Sequence, residues 1–224
     1  DTIDEWRHIV KLESKEGYSV EDVRVLSKLA QSADSEIRLR TAEVLVAVAP
    51  EWSESLLIGL SKDNDELVRA SACDSLGISE NVEVYSLLKE IVLRDTSLLV
   101  KNYAILSMVD VALKINAVSK EWFEILEQVI CQESEELIKI SFYRGLYLLG
   151  KIEYLDNLVK ELKNGVYQNR CAAINMLEDI HNSENKEIIK TLEFWGAYDD
   201  KELKGVIAAK EERKHICCFF VKAQ

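Results

Sequence analysis

Metal or nucleophilic chemistry in this chain would fall first to three histidines and five cysteines. His8, His181 and His215 lie far apart in sequence, and none sits in an HExxH arrangement. The one close grouping is "HICC", where His215, Cys217 and Cys218 could offer soft ligands,. A fourth ligand is not evident, so the reading is a final helix whose Cys217, Phe219 and Phe220 cover the chain's last repeat, with no metal bound,. Cys73, Cys131 and Cys171 are scattered through apolar stretches without CxxC spacing, which suits reduced core thiols of a cytoplasmic protein,. Carboxylate pairs such as Asp199/Asp200 and Glu211/Glu212 read as solvated surface in a chain that is 30% charged,. No GxxxxGK[ST], GxGxxG or GxSxG occurs,. No catalytic residue and no cofactor is therefore assigned.

Composition narrows the partners. The 28 Lys and Arg stand against 40 Asp and Glu, a formal net charge of −12. Such a chain repels phosphate backbones and attracts basic proteins, so nucleic acid is excluded as a partner and a basic protein is favoured. No apolar run approaches the roughly 18 residues of a membrane span. The opening residues, DTIDEWRH, show no signal-peptide pattern; they also lack Met, which leaves room for a removed upstream segment,. A single Pro and eight Gly in 224 residues, with Leu, Glu, Lys, Ala and Ile abundant, favour helix,.

The helices that would position any site show themselves as repeats. Take Val68 of "DNDELVRASACDSLG" as position zero. Asp63 and Asp65 then stand at −5 and −3, Arg69 at +1, Ala72 at +4, Cys73 at +5 and Leu76 at +8. The order returns around Ile37, Val100, Ile138, Asn169 and Leu203, at spacings of 31, 32, 38, 31 and 34 residues,. Apolar residues at 0, +4 and +8 are common to any amphipathic helix. A cation at +1 in all six copies is not. Each motif helix (B) follows another amphipathic segment (A): "SVEDVRVLSKLA", "SESLLIGLSK", "NVEVYSLLKEIVL", "KEWFEILEQVI", "IEYLDNLVKEL" and "NKEIIKTLEFW". Ser19 with Asp22, and Ser183, are placed to cap A helices, and the mostly small +4 residues allow close helix approach,. Residues 1–14 form an N-terminal capping helix, with Trp6, Ile9, Val10 and Leu12 set to cover the first repeat.

"LSKDNDELVRASACDSLG" resembles a HEAT-like repeat of the short type found in phycobilin-lyase-like proteins. The resemblance implies an all-α, right-handed α-solenoid: one domain over 1–224, with about six antiparallel helix pairs over 19–220 and the B helices on the concave side. In related repeats an Asp near the A–B turn and the basic residue of B form a ladder between neighbours. Carried over, the ladder uses Asp34, Arg38, Asp65, Arg69, Lys101, Lys139, Arg170 and Lys204. The fifth copy has Asn164 and Val166 where the acids would be.

A helical wheel locates the surface left for binding. Positions 0, +1, +4, +5 and +8 of B fall within about 140° and face neighbouring helices. Positions +3, +6 and +10 point the other way, to the side that the stacking makes concave. They supply Arg40, Glu43, Asp74, Tyr103, Leu106, Asp110, Arg144, Asn175 and Asp179. Carboxylates beside apolar and aromatic residues suit a basic protein or peptide. The expected function is a non-catalytic interaction scaffold, with a toxin-neutralising immunity protein as the favoured kind. The alternatives are an adaptor or regulatory subunit, a phycobilin-lyase-type chaperone, and a DNA-glycosylase-type protein; the last two call for a basic groove, against the sign of the charge.

Overall fold

The computed structural model describes residues 2–117, 135–164 and 166–181. Those residues form ten α-helices and no strand. The chain divides into two compact units, Asp1–Val118 and Ser119–Gln224.

The first unit holds α1 (Thr2–Glu13), α2 (Val20–Leu29), α3 (Ser35–Leu45), α4 (Pro50–Leu60), α5 (Glu66–Leu76), α6 (Val82–Arg94) and α7 (Leu98–Lys114). Local chemistry sets the helix starts. Ser19 and Asp22 form a reciprocal capping box at α2,. Asp34, Asp65, Asn81 and Ser97 cap α3, α5, α6 and α7 through their side-chain oxygens,. α4 opens at Pro50, ahead of the expected Ser53, because Pro pre-sets the helical φ where no N–H is needed,. Ser53 is buried instead and donates to the Val48 carbonyl at 3.2 Å.

The motif helices α3, α5 and α7 pack side by side, with α1 against α3, while α2, α4 and α6 pack on α3, α5 and α7 respectively. Hydrogen bonds show that this inner row runs parallel. Arg38 near the start of α3 bonds Asp63 just before α5, and Arg69 near the start of α5 bonds Asp95 just before α7. Midway, Ser75 Oγ donates to the Ala42 carbonyl at 2.9 Å and Ser107 Oγ to the Asp74 carbonyl at 3.4 Å. At the far end Lys114 Nζ donates to the Gly77 carbonyl at 2.7 Å. α1 joins in the same sense: its Glu5 accepts from Ser32 at 2.6 Å and its Glu13 from Arg40 at 2.7 Å.

The repeat register sets the core. The zero, +4, +5 and +8 side chains are buried throughout the first three copies: Ile37, Thr41, Ala42, Leu45; Val68, Ala72, Cys73, Leu76; Val100, Ala104, Ile105, Met108. Ile9 and Leu12 of α1 extend that core; Val10, expected to do so, is exposed because it lies on α1's outer side.

The second unit holds α8 (Glu136–Leu148), α9 (Tyr154–Asn164) and α10 (Tyr167–His181), each packed on the other two. Its core gathers Ile140, Tyr143, Tyr147, Leu158, Leu162, Ile174 and Leu177. Tyr143 and Tyr154 stack with ring centroids 5.9 Å apart. The fourth A segment, "KEWFEILEQVI", and the whole sixth pair lie outside the described residues, as do Ser183, Lys204, Cys131, His215, Cys217 and Cys218.

Candidate protein-binding face

Four interhelical turns of the first unit share one construction. They are Ser32-Ala33-Asp34, Asp63-Asn64-Asp65, Ser79-Glu80-Asn81 and Asp95-Thr96-Ser97. In each, the first side chain accepts the N–H of the third residue, at 3.2, 2.9, 3.0 and 2.8 Å. The third side chain then accepts an N–H of the following helix,. The first side chain also reaches a helix 25 to 27 residues upstream: Ser32 donates to Glu5, Asp63 accepts from Arg38, Ser79 donates to Glu54 and Asp95 accepts from Arg69.

The two arginine rungs are forked. Arg38 Nε and Nη2 meet the two Asp63 oxygens at 2.7 and 2.9 Å, and Arg69 repeats this with Asp95 at 2.9 and 3.1 Å,. Each arginine also donates Nη1–H to the −5 carbonyl of its own repeat, Ser32 or Asp63. The Arg38 bonds hold the Asp63 carboxyl below the usual aspartate range. Burial works against the charged form of Asp95, but the Arg69 bonds and the Ser97 N–H outweigh it, and its pKa is also lowered,. The rung acid is therefore the −5 residue, which differs from the expected ladder. Asp34 and Asp65 are helix caps, with Asp34 also accepting from Trp6 Nε1 at 3.2 Å. The reason is geometric: a −3 side chain already points at its own helix's first N–H groups, while the −5 side chain faces the preceding repeat. Lys101 is half-buried, and Glu133, which holds its −5 place in the next copy, lies outside the described residues. Lys139 pairs with Glu136 one turn away on its own helix at 3.2 Å. Arg170 is half-buried on α10.

The face opposite the core stripe divides by unit. In the first, Glu43 and Ile78 are exposed, and Asp74, Tyr103, Leu106 and Asp110 are half-buried, all on α3, α5 and α7 or directly after them. Arg40 joins this face but turns toward α1: it pairs with Glu13 at 2.7 Å and Glu36 at 3.3 Å, and its guanidinium lies 5.4 Å from the Trp6 ring centre,. Glu43 reaches solvent as a residue, yet protein crowds its carboxyl. That crowding, with the negative charges of Glu13, Glu36 and Asp74, outweighs the attraction of Arg40 and raises its pKa,. In the second unit Arg144 is buried, contrary to the groove position expected of it. α8 buries nine of its thirteen residues, so its nominal open side is enclosed. Asn175 is half-buried on α10, and Asp179 lies on the same helix, its side chain outside the described set.

No group of His, Cys, Asp and Glu suited to a metal ion occurs among the described residues. No described helix is long and apolar enough to cross a membrane. Cys73 and Cys171 are buried free thiols, and burial pushes Cys73 up to about 12, so it is an unreactive core residue,.

Stacked antiparallel helix pairs with a repeating inner register define an α-solenoid-type repeat protein. Residues 23–109, from α2 into α7, match the HEAT repeats family, and with the helical register they support a HEAT-like repeat reading of that stretch. No curated protein matches the sequence. HEAT repeats generally mediate protein–protein interaction.

Proposed function

We propose that the chain is a non-catalytic scaffold whose inner helices, α3, α5 and α7, receive a basic protein partner. The observation that carries this reading is the carboxylate group around Glu43. Glu13, Glu36 and Asp74 act on it from α1, α3 and α5, with Arg40, paired to the first two, as a cation among them, so four carboxylates gather around one guanidinium on this side of the first unit. Tyr103 and Leu106 lie on the adjoining helix and supply apolar contact beside that charge,. A net charge of −12 would steer a basic partner toward this surface,. Neutralisation of a basic toxin domain fits this chemistry, as does a regulatory subunit with a basic client.

The test is affinity capture with the full chain at low and high salt, repeated with Glu43→Gln/Asp74→Asn. A basic protein retained at low salt, released at high salt and weakened about tenfold or more by the double variant supports the reading. Capture of partners with no basic character, unaffected by salt and by the variant, sinks it.

A further inference from the structure

We propose that one edge of the first unit docks a cationic amphipathic helix of the partner protein. This proposal rests on the reading above and extends it from the inner helices to the turns beside them. The inner helices run parallel, so the turns α3–α4 and α5–α6 share an edge. Both expose large apolar side chains where polar ones would serve a solvated turn. Val46 is 42% and Trp52 38% exposed around the first turn; Ile78 is 40% and Val82 60% exposed around the second.

The two turns are held together. Glu54, two residues beyond Trp52 on α4, accepts hydrogen bonds from Ser79 and from Asn81 Nδ2, the latter at 2.7 Å, and these two residues lie between Ile78 and Val82. Single exposed apolar residues are ordinary; four on two adjoining turns tied by these bonds mark an interaction surface.

Charge identifies the occupant. Residues 43–56 and 74–86 contain six carboxylates and no Lys, Arg or His. Of the six, Glu54 is engaged in the clamp, while Glu51, Glu80 and Glu83 are exposed around the apolar side chains. The nearest cation from the next inner helix, Lys114, is bonded to the Gly77 carbonyl. An apolar strip rimmed by acids matches a helix with one apolar face and flanking Lys or Arg. Trp52 and Val82 would be its principal contacts, with Glu43 and Asp74 meeting cations on the inner side.

The test uses the full chain and two fluorescent synthetic helices of equal charge. One has a Leu face and Lys flanks; the other has Ser in place of every Leu. The wild type is expected to bind the Leu-Lys helix about tenfold or more tighter than the Ser-Lys peptide. Val46→Ser/Val82→Ser, and separately Trp52→Ser, should abolish that preference while leaving Ser-Lys binding and thermal unfolding unchanged. Equal binding of the two peptides overturns the edge and leaves the acidic inner face standing. A preference that survives Glu43→Gln/Asp74→Asn at full strength keeps the edge and removes the inner face. Binding of neither peptide, or of uncharged phosphatidylcholine vesicles in preference to both, overturns the proposal.

Discussion

Asp63 shows how one side chain can serve two neighbours. It receives the Arg38 fork from the preceding repeat, accepts the Asp65 N–H and so shapes the turn into α5. The pair is mostly shielded, with side-chain exposures of 16% for Arg38 and 11% for Asp63. Removing one partner of such a pair strands the other, which costs more than the pair itself contributes. Asp63→Ala is expected to lower unfolding stability by about 2–4 kcal/mol. Asp63→Asn, which keeps an acceptor for the Asp65 N–H, should cost about half of that, again measured by urea unfolding. A loss for Asp63→Ala no larger than that of an exposed Glu21→Ala control would contradict the rung. The arginines of the rungs were legible in the sequence as the +1 cation, but their acids were not. Asp63 is visible at −5, yet the first copy has Ser32 there, so no acid recurs at −5 in every copy. The pattern becomes readable only as a pair two residues apart, Asp or Ser and then Asp, Asn or Ser, before a helix.

Helix contacts in the inner row depend on small residues at +7 and +9, beyond the +4 positions that the periodicity singles out. Ser75 and Ser107 hold +7, and each bonds a carbonyl of the preceding inner helix. Gly77 at +9 ends α5 with ordinary right-handed backbone, φ −60°, so its glycine is a matter of space. A Cβ there would lie 2.9 Å from Ser107 Oγ and 3.1 Å from the Asp74 carbonyl. Gly77→Ala is therefore expected to destabilise by about 1–3 kcal/mol by forcing α5 and α7 apart. In a Ser107→Gly background the same change should cost clearly less, and equal costs in both backgrounds would refute the contact. The buried positions 0, +4, +5 and +8 were readable because a helix repeats every 3.6 residues. The +7 contacts were not, because a serine looks polar in sequence and only the neighbouring helix's carbonyl makes it an interior group. Arg144 failed for the converse reason: a wheel assumes one open side, and α8 has neighbours around most of its circumference.

The acidic balance of the chain sets how its stability should respond to pH, and two kinds of carboxylate pull in opposite directions. Asp63 and Asp95 have lowered pKa values in the folded chain. Their contribution is complete above the unfolded value near about 3.9 and is lost as pH falls through their folded values. Glu43 is raised, so its ionised form is disfavoured in the folded chain and its protonation favours folding,. A net charge of −12 adds general self-repulsion at pH 7 that eases as carboxylates titrate,. Melting temperature is thus expected to rise modestly from neutral pH toward about pH 5 and to fall steeply below about pH 4. Glu43→Gln separates the local cause from the general one, because self-repulsion acts on both proteins. The stability of wild type relative to Glu43→Gln should increase as pH drops through the range above glutamate's ordinary value of about 4.3. A difference that stays constant across that range would mean that the crowded acids around Glu43 do not interact in the folded chain. The inner-face reading would then lose the observation that carries it, even if the rungs at Asp63 and Asp95 still produced the acid-side collapse.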